Sequence, residues 1–283
     1  MCLILFAYRA IPGVPLLVAA NRDEYYARPA SRAAFWEDQP TILAGRDLQA
    51  GGTWLGVSTG GRFAALTNFR GAPGAPPGGP SRGELVASFL AGRQSARTFT
   101  RRLQETGNRY AGYCILAGDG DELHFYSNQS GEALEVSPGV HGLANHLLDT
   151  PWPKVVKGRA GLARLIEQPF SDDLYLDLMD DTVPAEEQFD GEAARDPAWE
   201  RSLSSLRIIA GGYGTRCSTV VRIDAARQID FAERTYRDDG GIDGEVRYRF
   251  RASRKPAPVR RPATAGSPRR AGSPPRKTSR PAR

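Results

Sequence analysis

Residues 2–9, apolar and aromatic up to Arg9, and the apolar run 16–20 flank the turn residues Pro12 and Gly13 and predict a hairpin of two buried strands. Residues 54–58 and 63–68, around Thr59-Gly60-Gly61-Arg62, predict a second hairpin. Residues 113–116 and 123–127 alternate around Gly118-Asp119-Gly120-Asp121 and predict a third. Residues 133–136 and 142–145 are short strand candidates, and 218–223, 229–235 and 246–250 are late strands. The period changes in between. Ser81 is placed to cap a helix, with Glu84 in the capping-box position ahead of Leu85, Val86, Phe89 and Leu90, and Gly92 should end it. A second helix is expected over about 96–105. Val155, Val156, Leu162, Leu165 and Ile166 recur at helical spacing, so 153–166 reads as a helix, and 174–179 continues that layer. The acidic, poorly periodic stretch 180–199 reads as a surface excursion. Strands, then helices, then strands again imply a layered α+β fold rather than alternating βαβ units.

Composition refines this. The chain has 283 residues, 40% hydrophobic and 25% charged, which is ordinary for a globular protein. No run approaches the roughly 18 apolar residues of a membrane-spanning helix. The net charge of +6 is a poor average, because residues 252–283 hold ten Lys or Arg and no acid. Without those ten, residues 1–251 are mildly acidic. The expected organisation is a folded domain over 1–251 and a disordered basic Pro/Arg/Ser-rich tail over 252–283, too poor in apolar bulk to offset its ordering entropy. Nucleic acid is not an expected partner of the body; weak electrostatic contact through the tail is the most the charge supports. Three cysteines (Cys2, Cys114, Cys217) without a secretory signal predict reduced thiols in the cytoplasm. The three histidines form no familiar zinc spacing with them, so no metal is expected.

Cys2 carries the most chemistry. A small second residue usually permits removal of the initiator methionine, which leaves a thiol and a free α-amine on one residue. Their unperturbed pKa values, about 8.5 and about 7.7–8, let the neutral amine take the thiol proton near physiological pH. This is the N-terminal-nucleophile solution to activation. The cluster Asn21-Arg22-Asp23-Glu24 follows the second apolar run, where a strand end lies beside its neighbour's start. A guanidinium there favours the thiolate, and a carboxylate would hold the α-ammonium. Adjacent residues on a regular strand face opposite sides, so one of Arg22 and Asp23 need not reach the thiol unless the strand ends between them. Asn68 and Asn145 end two further strand candidates and suit either an oxyanion hole or a turn. Arg216 lies just before a late strand, after a glycine-rich stretch that lacks a P-loop or Rossmann pattern.

Met1-Cys2-Leu3-Ile4, Ala19-Ala20-Asn21-Arg22-Asp23-Glu24-Tyr25, Gly51-Gly52-Thr53-Trp54-Leu55-Gly56, Ala64-Ala65-Leu66-Thr67-Asn68, Gly142-Leu143-Ala144-Asn145 and Tyr213-Gly214-Thr215-Arg216 together resemble the NRDE family, also called the Transport and Golgi Organisation 2 homolog family. The resemblance runs in order over roughly residues 1–250. It implies a four-layer αββα sandwich like that of N-terminal-nucleophile hydrolases, and a distant likeness to cysteine amidases of bile-salt conjugates and penicillin V. Carried over by motif, Cys2 is the nucleophile and Arg22 and Asp23 its supporting charges. Asn68 and Asn145 are oxyanion or substrate donors, and Arg216 is a structural or charge-tuning partner. The implied activity is hydrolysis of a small-molecule amide with no cofactor required. The rival implication is a non-catalytic carrier of haem or a lipid-like or acyl-CoA ligand in the same pocket. Haem would need an axial ligand, for which His141, His146 and Cys217 are the candidates, while Cys114 reads as a buried thiol.

Overall fold

The structure, a computed structural model, describes residues 2–72, 74, 78–185 and 197–253. The expected basic tail lies outside the described residues, apart from Ala252 and Ser253. These two are tied to the body by Ala252 N donating to Arg227 O and Ser253 N to Thr59 O, both at 2.8 Å.

One sheet contains β1 (Cys2–Ile11), β2 (Val14–Tyr25), β10 (Gly139–Leu143), β12 (Tyr213–Ile223), β13 (Gln228–Tyr236) and β14 (Ile242–Arg251), in the order β10-β1-β2-β12-β13-β14. The short β11 (Ile209–Ala210) adds to β12. The other sheet is a meander in sequence order: β3 (Ala30–Phe35), β4 (Ile42–Asp47), β5 (Leu55–Ser58), β6 (Phe63–Asn68), β7 (Tyr113–Gly118), β8 (Leu123–Ser127) and β9 (Ala133–Glu135). Every pairing is antiparallel. Helices α1 (Gly83–Ala91) and α2 (Ala96–Thr106) cover the meander, and α3 (Pro153–Leu165) and α4 (Asp172–Met179) cover the first sheet. The short α5 (Pro197–Leu203) follows.

The strand sequences explain the layering. Along β1, Ile4, Phe6 and Tyr8 face the other sheet, while Leu3, Leu5 and Ala7 face α3 and α4. Both faces are covered, so β1 reads as one continuous apolar run instead of an alternating one. β2 repeats the division, with Val18 and Ala20 between the sheets and Leu17 and Ala19 against the helices. The meander buries Ala64 and Ile115 against Phe89, Phe99 and Leu103 of α1 and α2. The expected αββα sandwich is therefore the architecture observed.

Four local expectations need correction. β2 does not end at Ala20; it runs on to Tyr25, so Asn21–Glu24 are strand residues, Asn21 and Arg22 paired with both β1 and β12 and Asp23 and Glu24 with β12. Arg216 lies inside β12, not before it. The capping box does not form: Glu84 turns away to accept the Tyr110 hydroxyl at 2.6 Å. The excursion at 180–199 contains the start of α5, and its residues 186–196 are outside the described set.

Candidate functional site

The ladders place Cys2 at the start of β1, paired with Arg22 of β2; Arg22 pairs on its other side with Cys217 of β12. Directly opposed residues of an antiparallel pair project from one face. The two thiols therefore flank the guanidinium, on the face that Val18 and Ala20 turn toward the other sheet. All three line a cavity of about 250 Å3 whose walls also include Trp54, Asn68 and Arg82.

Asp23 leaves β2 on the opposite, helix-facing side. It is 4% exposed, and Thr215 Oγ1 donates to its Oδ1 at 2.7 Å. A bulge makes this possible. Thr215 pairs with Asp23 and Cys217 with Arg22, so Arg216 is an extra residue on β12. One extra residue switches the parity of a strand. Thr215 can then meet Asp23 on the helix side while Cys217 meets Arg22 between the sheets. Both Arg22 and Asp23 border the cavity, although their side chains leave the strand on opposite sides. Arg216 itself donates to the carbonyls of Tyr25 at 2.9 Å and Arg28 at 2.8 Å. It lies over the Tyr26 ring, a brace for the outgoing chain.

Asn145 needs a different role from the one expected. The Cys2 nitrogen donates to Asn145 Oδ1 at 3.0 Å, and Asn145 Nδ2 donates to the Asn68 carbonyl at 2.9 Å. Its own carbonyl accepts Arg70 N at 2.7 Å. Asn145 is buried and is not among the cavity-lining residues. It holds the nitrogen of Cys2 instead of offering an amide to the cavity. In a chain that begins at Cys2, that nitrogen is the α-amine. Its φ of 47° is left-handed, a conformation asparagine tolerates better than most residues. Asn68, at the exposed end of β6, does border the cavity.

Burial dominates the titration of the centre. It pushes the Cys2 thiol up, an effect the Asp23 carboxylate increases and the Asp23 backbone N–H and Arg22 oppose. Burial raises Asp23 as well, opposed first by Lys154. Cys217 is pushed well above the thiol range by burial and Glu233, and burial also raises Glu233, whose carboxylate accepts Ala33 N at 2.7 Å. Around the mouth, Arg28 pairs with Asp47 at 2.7 Å, Arg32 with Asp243 at 2.6 Å and Arg46 with Asp38 at 2.7 Å.

The remaining candidates lie elsewhere. His141 has both ring nitrogens engaged, one with Asp149 at 2.7 Å and one with the Ser137 carbonyl at 2.9 Å. His146 bonds Thr150 at 2.9 Å, outside the cavity lining. Of the three, Cys217 alone faces the cavity. Cys114 is the buried thiol expected, pushed up to about 12 by burial. Among the described residues, Glu122, His124 and Glu135 have metal-ligating atoms close together, but Arg97 already bridges both carboxylates at 3.0 Å. No described helix is long and apolar enough to cross a membrane.

Sequence reasoning missed three groups at the centre: Thr215, Glu233 and Lys154. Lys154 had a readable signal. It stands four and eight residues before Gly158 and Leu162, on the buried stripe of α3.

The fold and centre thus define an αββα sandwich with a cysteine at the start of its first strand. The chain belongs to the Transport and Golgi organisation 2 family, which it matches over residues 1–238. It is 35% identical over 260 residues to the Mus musculus Transport and Golgi organization 2 homolog, covering 84% of this chain and 94% of that protein. The Homo sapiens homolog is 34% identical over the same shares. The Drosophila melanogaster protein is 28% identical over 262 residues, covering 83% of this chain and 92% of its own. Among solved structures, a Caenorhabditis elegans N-acylethanolamine-hydrolyzing acid amidase ortholog is similar at TM-score 0.39 and 10% identity, covering 77% of this chain and 92% of that one. Penicillin V acylase from Agrobacterium tumefaciens is similar at TM-score 0.40 and 13% identity, covering 81% and 82%. Scores this low carry no assignment of chemistry.

Proposed function

We propose that this chain is an N-terminal cysteine amidohydrolase acting on a small-molecule amide once Met1 has been removed. The observation that carries the reading is the Cys2 nitrogen, held at 3.0 Å by Asn145 Oδ1 while the thiol of the same residue faces the cavity beside Arg22. The amine takes the thiol proton, and the sulfur attacks the amide carbonyl. The C–N bond breaks, the departing amine takes the proton back, and a thioester to Cys2 remains. Water then cleaves the thioester, passing a proton through the same amine and restoring the thiol. Asn68, at the cavity wall, supplies a side-chain donor to the developing oxyanion. Arg22 favours the thiolate that the burial of Cys2 opposes.

Intact mass before and after brief iodoacetamide treatment at neutral pH tests the first half. The expected result is a chain lacking Met1 with one fast label on Cys2: burial raises all three thiols, and only Cys2 would carry a free amine to take its proton. A screen of small N-acyl amides tests the second half, with Cys2→Ala as the folded, inactive control. Retained Met1, or turnover unchanged in Cys2→Ala, refutes the reading.

A further inference from the structure

Lys154 is an unusual residue to find inside a protein. It is 2% exposed, and its Nζ makes no hydrogen bond to any described residue. It sits in the first turn of α3, the helix packed on β1. There it is on the helix side of the first sheet, the side to which Asp23 projects. An isolated buried ammonium is costly, and a lysine so placed persists where a carboxylate compensates it. Burial lowers its pKa, and of the nearby anions Asp23 opposes this most, then Cys2, while Arg70 adds to the lowering. Arg70 already has a partner in Glu200 of α5.

We propose that Lys154 is a positioning residue of the Cys2 centre: the buried counter-cation that holds Asp23 as a carboxylate and, through it, keeps the amine of a chain beginning at Cys2 neutral and aimed at the thiol. This rests on the amidohydrolase reading only for the existence of that free amine. The charge count gives the sign. With Lys154 charged, the helix-side carboxylate already has its cation, and protonating the amine adds an uncompensated buried charge. Without Lys154, Asp23 loses that cation and draws more strongly on the amine, which holds its proton more tightly. The other charges facing the centre do not substitute. Arg22 points between the sheets toward Cys217 and Glu233, and Arg82 donates to the Gly112 carbonyl at 2.9 Å.

The test is the pH dependence of Cys2 alkylation in the processed full-length chain, read by intact mass. Lys154→Met should move the acid limb up by about one pH unit, so that labelling one unit below the parental midpoint falls about ten-fold. Asp23→Asn should move it down, and Asp23→Asn/Lys154→Met should return toward the parent. A folded Lys154→Met with the parental midpoint overturns the proposal. If that variant does not fold, the double variant, which removes the two buried charges together, is compared with Asp23→Asn; equal midpoints again overturn it. The unmutated chain supplies a third readout, because it has only four lysines, at positions 154, 157, 255 and 277. The 13Cε signal of Lys154 should titrate apart from the rest and shift when Asp23 becomes Asn. A signal titrating with the other three overturns the proposal. Turnover separates the two ideas: shifted midpoints without any amide hydrolysis would refute the amidohydrolase reading and leave Lys154 in its role, and hydrolysis with unmoved midpoints would do the reverse.

Discussion

Replacing Asn145 probes the joint that holds the centre together. The side chain satisfies the Cys2 nitrogen at 3.0 Å and the Asn68 carbonyl at 2.9 Å. Asn145→Ala deprives both groups of their partner. A buried polar group left unpaired costs about 1–3 kcal/mol, and the Asn68 carbonyl, at an exposed strand end, belongs at the low end of that range. Alanine must also adopt the φ of 47° that Asn145 has, at about 1–2 kcal/mol. The sum is roughly 3–6 kcal/mol. Asn145→Gly removes the backbone cost and leaves the hydrogen-bond loss, so it should be the milder change by about 1 kcal/mol. Asn145→Asp keeps an acceptor for the Cys2 nitrogen but turns an oxygen toward the Asn68 carbonyl, and should fall between the parent and the alanine variant. Urea unfolding followed by circular dichroism gives the midpoints, compared at constant m-value. Alanine and glycine variants with the same midpoint would refute the backbone argument. An alanine variant costing under about 1 kcal/mol would refute the hydrogen-bond argument.

Three other sites give independent outcomes. A Cβ on Gly52 would lie 2.5 Å from the backbone carbon and 2.7 Å from the oxygen of Gly83, so Gly52→Ala should push the start of α1 from the cavity wall, lower the unfolding stability by about 2 kcal/mol or more, and slow Cys2 labelling. Arg62 donates to the carbonyls of Phe89 at 2.9 Å and Gln94 at 2.7 Å beyond the end of α1; Arg62→Met should cost about 2–4 kcal/mol, and Arg62→Lys should recover less than half, because an ammonium cannot reproduce the two-pronged bond. The His141 imidazole is raised chiefly by its hydrogen bond to Asp149, so this pair should stabilise the fold fully below the ordinary histidine pKa of about 6.5 and lose that contribution as pH rises through the higher folded value. In Asp149→Asn the fall in urea midpoint over that window should disappear; a parental slope in the variant would show that the pair does not cause it.

How far the fold was legible follows from how each strand is covered. β1, β7 and β8 are shielded on both sides, so their sequences are nearly continuous apolar runs and they stand out. β3 (Ala30–Phe35) and β4 (Ile42–Asp47) carried no such signal. β3 is an edge strand with one buried position among six, and β4 buries its first three residues before turning polar at Arg46 and Asp47. Two neighbouring strands supply what their own sequences lack. The positions of α1 to α4 were readable to within a residue or two, because amphipathic spacing is local; the short α5 was not read. The capping of α1 was not, because Tyr110, 26 residues away, takes the Glu84 carboxylate.

The centre was legible in its members and not in their assembly. Cys2, Arg22 and Asp23 stand out by residue type, yet adjacent strand residues must diverge, and the sequence does not say that the divergence is used. The single extra residue at Arg216 settles this. It lets β12 present Thr215 to Asp23 on the helix side and Cys217 to Arg22 on the sheet side. Cys2, at the strand start, is the residue both sides reach: its thiol borders the cavity with Arg22, and its nitrogen is held by Asn145. The face that receives Asp23 is also the face where α3 buries Lys154. The opposite directions of Arg22 and Asp23 thus put the guanidinium between the sheets with Cys2 and Cys217 and the carboxylate on the helix side with Thr215. A regular β12 would leave one of those two residues without its cross-strand partner.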